Sequence, residues 1–306
     1  MARIKKDIKQ IFAFTARNVK VFFKDKGTFL TALISPLILM VLYALFLHRV
    51  FSDSVTAMMQ GEAIASDIVN GMIASYEVSS VIAVCCVTVA FVANMNMVAD
   101  KVSGARNDLI VAPVKGHVIV LGYYFATAAV TFCICFVAMA AGMCYIAGMG
   151  WAMSAGQVFA AIADVMLATL FGTALSSVVC YFLKSNGAIT AVGTIVSSVY
   201  GFICGAYYPI SQFASGMANT VMCLPGTYCT GLFRTHFLSA YADMMADAGI
   251  SQTAADSLLG AFDAKYAFFG NAVSVWVMYT VVVCSVLVLI GAFVAINAFS
   301  KRNSRY

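Results

Sequence analysis

The sequence predicts an all-α integral membrane protein with six transmembrane helices. Of its 306 residues, 62% are apolar or aromatic and only 10% are charged, and the mean hydropathy is +0.93. Soluble domains are roughly 45–50% apolar and about 25% charged. The composition therefore excludes a soluble enzyme. It also excludes a disordered chain, which requires low hydropathy and high charge.

Six apolar runs are long enough to cross a bilayer, whose hydrocarbon core of roughly 30 Å takes about 20 helical residues to span. The runs are continuous rather than alternating, which favours helices over the strands of a barrel. We number them spans one to six and treat residues 1–306 as a single transmembrane domain. The runs cover Thr28–Leu47, Ile73–Met97, Val118–Ala147, Ala155–Phe182, Ala188–Tyr207 and Asn271–Phe299.

The basic residues predict the orientation of the spans. Fifteen of the 18 Lys and Arg residues fall on one side of the six-span arrangement, and only Arg49, Arg234 and Lys265 fall on the other. Cytoplasmic loops are rich in Lys and Arg, so we expect a multi-pass protein of the cell membrane with both termini in the cytoplasm. The net charge of +5 then reflects topology and contact with anionic lipid headgroups. No segment interleaves basic and aromatic residues in the way a nucleic-acid interface requires.

The segment before span one predicts an amphipathic helix. Its apolar residues follow helical spacing, and Lys and Arg occupy much of the remaining surface. Such a helix lies in the membrane interface with its apolar face towards the lipid. Two interpretations remain open: an anchor only, or an anchor that also forms part of a docking surface for a cytoplasmic partner. The apolar positions are Ile4, Ile8, Ile11, Phe12, Val19, Phe22 and Phe23.

Asp164 is the main charged residue predicted deep within a span. It lies nine residues after Ala155, or about 13 Å along a helix, where an Asp costs roughly 2.5–3.5 kcal/mol to insert. Either it lines a cavity or attracts a cation there, or it pairs with a neighbouring hydroxyl group or lies closer to the outer surface than its position in the span indicates. Glu77 falls nearer the outer end of span two, where we expect a solvated rim position.

The end of span five supplies the remaining candidates for a pathway or gate. Gly201 and Gly205 form a G-x-x-x-G pattern, which predicts close approach between helices and is also compatible with a central gate. Tyr207 and Tyr208, with Phe213 and Tyr228, form either an aromatic belt at the outer interface or the lining of an exit.

Motifs for nucleotide, metal or covalent chemistry are absent from the sequence. The chain contains no Gly-Lys pair and hence no Walker phosphate-binding motif. Its three histidines, His48, His117 and His236, lack metal-ligand spacing and are expected at span ends. Cys223 and Cys229 are six positions apart, which turns their side chains away from each other on a helix and disfavours a disulfide. We therefore expect no catalytic site and no metal or cofactor in this chain.

Three segments together resemble the permeases of type-two ABC exporters. The second segment keeps the family's spacing at Gly104 and Pro113, whereas Val102 and Ala105 replace an acidic residue and a Thr. The three segments are Arg17–Thr28 leading to Pro36, the loop Asp100–Val114, and Gly201–Ile210 followed by Leu224–Tyr228 and Arg234.

The apolar runs, with the outer hairpin that the resemblance implies, divide the chain. Residues 1–27 are the cytoplasmic amphipathic helix, and residues 28–207 carry spans one to five. Residues 208–238 form a re-entrant outer hairpin, and 239–270 an outer loop with helical caps. Residues 271–299 are span six, and 300–306 are a cytoplasmic tail.

The resemblance also implies partners. A separate ATPase subunit would bind ATP and Mg and contact the first cytoplasmic loop, and a second permease copy would complete the pathway. The Met, Phe and small residues of the spans suit an amphipathic cargo: a drug, a lipid-linked molecule or a peptide-like molecule. The residues that would couple to the ATPase are Asp100, Lys101, Gly104, Arg106, Asp108 and Pro113.

Three other classes of function are alternatives to an ABC exporter permease. An ion-coupled secondary transporter needs titratable groups near the membrane midplane, and Asp164 is nearly the only deep candidate. An intramembrane enzyme needs a nucleophile and base or a metal-ligand set, which the sequence does not offer. A non-transporting assembly scaffold has no sequence feature that distinguishes it from a permease.

Overall fold

The computed structural model describes residues 2–59, 64–105 and 114–303, and most of these residues are helical. We call the end of the helical bundle next to the N-terminal helix the inner end and the opposite end the outer end. The elements are α1 (Ala2–Lys24), α2 (Lys26–Leu42), a π-helical turn (Tyr43–Leu47), α3 (His48–Met58), α4 (Ser66–Ala93), α5 (Met95–Val102), α6 (Gly116–Met149), α7 (Ala155–Phe182), α8 (Asn186–Ile203), a 3₁₀ turn (Ile210–Gln212), α9 (Ser215–Met222), α10 (Pro225–Asp247), α11 (Gln252–Ala261), β1 (Ala267–Phe268), β2 (Asn271–Ala272) and α12 (Val275–Asn303).

Within the described residues, six helical segments are long and apolar enough to cross a membrane, in agreement with the six predicted spans. Span four coincides with its predicted bounds, whereas spans one to three are longer than predicted. The six segments are Lys26–Met58, Ser66–Val102, Gly116–Met149, Ala155–Phe182, Asn186–Ile203 and Val275–Asn297.

Span two forms the centre of the bundle. Nearly every residue of α4 is buried, and this helix packs against α2, α6, α7 and α10. A helix that is apolar on all faces is expected where neighbours surround it on all sides. In spans one, five and six, in contrast, at most 24% of the apolar window is buried.

A short break separates the N-terminal helix from span one. Asp25 caps α2, since its carboxylate accepts hydrogen bonds from the Gly27 and Thr28 amides at 3.1 and 3.2 Å and from the Thr28 hydroxyl at 2.6 Å. These hydrogen bonds lower the pKa of Asp25, and the one from the Thr28 hydroxyl has the largest effect. The predicted leader is thus a distinct helix, α1, on which Ile4, Ile8 and Phe12 are exposed. Its position in the membrane interface stays a prediction.

Span one contains a π-helical turn at Tyr43–Leu47. The backbone N–H of His48 donates to the carbonyl of Tyr43, five positions earlier. Tyr43 itself is buried, and its hydroxyl donates to the Ala206 carbonyl at 2.8 Å. Such wide turns are found frequently at functional positions in helices.

Two predicted span ends are wrong by a few residues. Span five was predicted to continue to Tyr207, but α8 ends at Ile203, because Gly205 adopts a left-handed backbone conformation with φ of +72° that ends a helix. Span six was predicted to begin at Asn271, but Asn271–Ala272 pairs with Ala267–Phe268 as a two-stranded ribbon and α12 begins at Val275.

The closest approach between helices involves different glycines from those predicted. A Cβ added at Gly172 in α7 would overlap the Cys86 carbonyl oxygen of span two, and one at Gly71 would overlap the Gly150 carbonyl oxygen. At Gly201 the nearest group is instead the Tyr207 ring. Because α8 ends between Gly201 and Gly205, the two glycines do not form a G-x-x-x-G face on one helix.

The segment after span five contains two helices, α9 and α10, joined by Cys223 and Leu224. Cys223 is exposed and Cys229 is buried, and both are free thiols. The predicted outer loop holds the end of α10 and all of α11, in accord with the expected helical character. That residues 208–238 re-enter the membrane stays a prediction.

Candidate functional site

The inner end of span two is the first candidate site, because the predicted coupling loop begins there. The Asp100 carboxylate accepts hydrogen bonds from Arg17 Nη1 at 2.7 Å and from the Tyr123 hydroxyl at 2.6 Å. Lys101 Nζ donates to the Tyr181 carbonyl at 2.6 Å and lies 4.8 Å from the centre of the Tyr181 ring. The two residues therefore join the start of the loop to α1, span three and span four.

The other end of the same loop also contacts α1. Lys115 Nζ donates to Asp7 Oδ2 at 2.6 Å, and this hydrogen bond is the main reason that the pKa of Asp7 is lowered. At the first end, the hydrogen bond to Asp100 raises the pKa of Arg17. Asp7 and Arg17 are ten residues apart, or about 15 Å along a helix. The loop thus has both of its ends attached to α1.

The coupling candidates divide between described and undescribed positions. Asp100 and Lys101 are held as above. Gly104 has φ of +82°, and no atom of the described residues lies within 4 Å of an added Cβ. Arg106, Asp108 and Pro113 lie outside the described residues.

A cavity of about 260 Å³ lies between spans one, two and five. All of its lining residues are uncharged, and half of them are Thr or Ser. The hydroxyls of Thr31, Thr88, Thr190 and Thr194 each donate to the carbonyl four residues earlier, at 2.9–3.1 Å. Their oxygens therefore retain lone pairs that can accept hydrogen bonds from a ligand.

Asp164 does not line this cavity. It is 1% exposed, and its carboxylate accepts a hydrogen bond from the Tyr279 hydroxyl at 2.7 Å and lies 2.5 Å from His236 Nδ1. This geometry favours the paired alternative over the pathway alternative. It joins span four to α10 and span six.

The predicted positions of Glu77 and His236 are both wrong, and each residue belongs to a histidine–carboxylate pair. Glu77 is fully buried rather than solvated at a rim, with His48 Nδ1 at 3.4 Å and the Tyr145 hydroxyl at 3.2 Å. His236 lies within α10 rather than at a span end. Both histidines face carboxylates from distant segments, and sequence spacing gave no signal of either pair.

The gate candidates lie at the outer end of span five and just beyond it. The Tyr207 ring packs on Gly201, and its hydroxyl donates to the Ser197 carbonyl at 3.1 Å. Tyr208 is about half exposed and stacks on Phe213 with ring centres 6.0 Å apart. Gly201 thus lies in the last turn of α8, and Gly205 lies in the turn that follows this helix. Whether these residues form a gate or an exit stays a prediction.

Asp164→Asn is expected to lower the free energy of unfolding by about 1.5–3 kcal/mol, since hydrogen bonds to a buried charge contribute about that much. Thermal unfolding in detergent measures it. Asp256→Asn is the matched control, because Asp256 pairs with Lys265 in an exposed position and such pairs contribute about 1 kcal/mol or less. Equal shifts for the two variants would contradict the structural role of Asp164.

The six apolar helices define a multi-pass membrane protein. The chain matches the family model of the ABC-2 type transporter over residues 9–238. It therefore belongs to the ABC-2 type transporter family, and it is a transmembrane component rather than an ATPase. A search of curated proteins finds no match to this chain.

Proposed function

We propose that this chain is the permease subunit of an ATP-driven exporter of the cell membrane. Two copies would form the translocation pathway, and separate ATPase subunits would bind ATP and Mg at the inner end. The observation that carries the proposal is the attachment of both ends of the loop at residues 103–115 to α1, through Arg17–Asp100 and Lys115–Asp7. A partner that moves this loop would also move α1.

The exposed surfaces of spans one and five support a second copy as partner. Leu37, Ile38 and Ile195 are each more than half exposed. They lie on α2 and α8, two of the helices that line the cavity. Association of two such surfaces would enlarge the cavity into a shared pathway. Its uncharged lining with hydrogen-bond acceptors suits an amphipathic cargo that carries donor groups and no net charge.

A cysteine at Ser103 tests the ATPase contact. Ser103 is exposed next to the loop. We therefore expect a reagent with one maleimide end and one amine-reactive end to join the thiol of Ser103→Cys, in membranes, to an amine of a protein with a Walker motif, identified by mass spectrometry. Gly148→Cys is the control, because Gly148 lies near the outer end of span three with open surroundings. The wild type gives the background from native cysteines.

The mass of the cross-linked complex then gives its stoichiometry, for which we expect two permeases and two ATPases. Absence of any ATPase cross-link from position 103, or an equal yield from position 148, would contradict the proposed coupling. In reconstituted vesicles, transport that continues without ATP and stops when the ion gradient is removed would favour the secondary transporter instead.

A further inference from the structure

A fully buried ion pair lies at the outer end of the bundle. Arg234 Nη1 of α10 is 2.6 Å from Asp263 Oδ2, and the two side chains are 0% and 2% exposed. Removing two charges from water is costly and is offset only when the geometry is good and further hydrogen bonds satisfy both groups. The further partners of this pair all belong to the outer ends of the spans or to the segment after span five.

The Asp263 carboxylate holds the segment that follows span five. It accepts hydrogen bonds from the backbone amides of Ile210 at 2.5 Å and of Ser211 at 2.9 Å. The Ser211 hydroxyl also donates to the Ala261 carbonyl at 3.1 Å. Two consecutive amides of the 3₁₀ turn are thus attached to one side chain that is more than 50 residues away in the sequence.

Arg234 holds the preceding turn against span two. Its Nη2 donates to the Gly205 carbonyl at 2.5 Å and to the Tyr76 hydroxyl at 3.1 Å. The guanidinium also lies 4.5 Å from the centre of the Tyr76 ring. Because Tyr76 belongs to span two, the central helix, Arg234 connects the end of span five to the best-packed part of the protein.

The rest of span five is only partly buried, with Val192, Val196 and Tyr200 packed against the hydrophobic core. Of the residues of α8, only Ile189 and Gly201 are buried. The outer end is therefore fixed by polar contacts at Gly205, Ile210 and Ser211, with a further contact at Ala206 from Tyr43. Tyr207 and Tyr208 lie between these fixed points.

We propose that the Arg234–Asp263 pair positions the segment 204–211, so that span five moves about a fixed outer end during transport. The movement of span five during transport, with the segment 204–211 as part of a gate, rests on the proposed function. The positioning of this segment by the ion pair does not depend on a partner or on ATP. The two charges act through the backbone groups they hold and do not contact cargo.

Cys204 is a native reporter for this positioning. It precedes Gly205 and is 0% exposed. In the purified full-length protein, we expect Asp263→Asn to raise the rate of maleimide labelling at Cys204 by about tenfold or more, because weakened charge-assisted hydrogen bonds make local opening easier. Peptide mass spectrometry reads each cysteine separately. Cys180, buried at the inner end of span four, should stay unlabelled.

Controls separate positioning from general destabilisation. Lys265→Ala breaks an exposed ion pair in the same outer region and should leave Cys204 protected. Arg234→Lys keeps the positive charge but lacks the second nitrogen that reaches Gly205, so we expect intermediate labelling. Equal labelling of Cys204 and Cys180 in the variants would overturn the proposal, as would a Cys204 that stays protected in both variants.

A measurement on the wild type covers the case in which the variants do not fold. The amides of Ile210 and Ser211 should exchange slowly with deuterium, since both donate to a buried carboxylate. Fast exchange at these two amides would overturn the proposal. None of these measurements requires an ATPase, so their failure is distinguishable from failure of the proposed function.

Discussion

Arg234→Ala is expected to lower the free energy of unfolding by about 3–5 kcal/mol, because removal of one partner leaves the other charge buried without compensation. Asp263 would lose the nearest positive group, and the Gly205 carbonyl and the Tyr76 hydroxyl would each lose a hydrogen bond. The detergent-solubilised protein is heated to a series of temperatures, and size-exclusion chromatography then measures how much folded protein remains at each one.

A double variant sharpens this prediction. Arg234→Ala with Asp263→Ala removes both charges, so it should cost less than the sum of the two single changes. Lys265→Ala is the control for an exposed pair, with an expected change of about 1 kcal/mol or less. Strict additivity of the two single changes would contradict the view that the pair is a coupled unit.

Gly172→Ala is expected to destabilise the protein by about 3 kcal/mol, at the upper end of the range for overpacking. The added methyl group would overlap the backbone of Cys86 and Val87 in span two, and backbone atoms cannot move aside by changing rotamer. Spans two and four would have to separate, with loss of contacts along both helices. The folded yield and the thermal unfolding midpoint both report this effect.

The matched control is Gly148→Ala in span three. An added Cβ there has no atom within 4 Å, and Ala is favoured over Gly in a helix by about 1 kcal/mol. The control variant should therefore be as stable as the wild type or more so. A Gly172→Ala variant as stable as Gly148→Ala would mean that spans two and four do not approach closely at this position.

Hydropathy was sufficient to find the spans, since each helix needs about 20 apolar residues whatever its neighbours are. It did not place their ends where the backbone departs from a helix. Nothing in the apolar run Gly201–Tyr207 reveals the positive φ of Gly205, and the β ribbon before α12 consists of only four paired residues. Such ends depend on contacts with other segments.

The buried polar pairs were the least predictable feature. Asp164 was recognised as unusual because a charge within a span is costly, but its partner His236 is 72 residues away. The position of Glu77 along span two predicts a solvated rim, whereas its partners come from spans one and three. A single sequence shows the cost of burying a carboxylate, and only the three-dimensional arrangement shows what offsets it.

The π-helical turn of span one sets the phase of everything beyond it. Five positions along an α-helix turn the chain by about 500°, which leaves two side chains roughly 140° apart, whereas a turn closed by an i to i+5 hydrogen bond stacks them on one face. Tyr43 and His48 stand in that relation, which lets one reach Ala206 and the other Glu77. The one extra residue in this turn thus brings both side chains into position. A regular α-helix would direct Tyr43 and His48 to different faces, and span one could then keep only one of its two polar attachments.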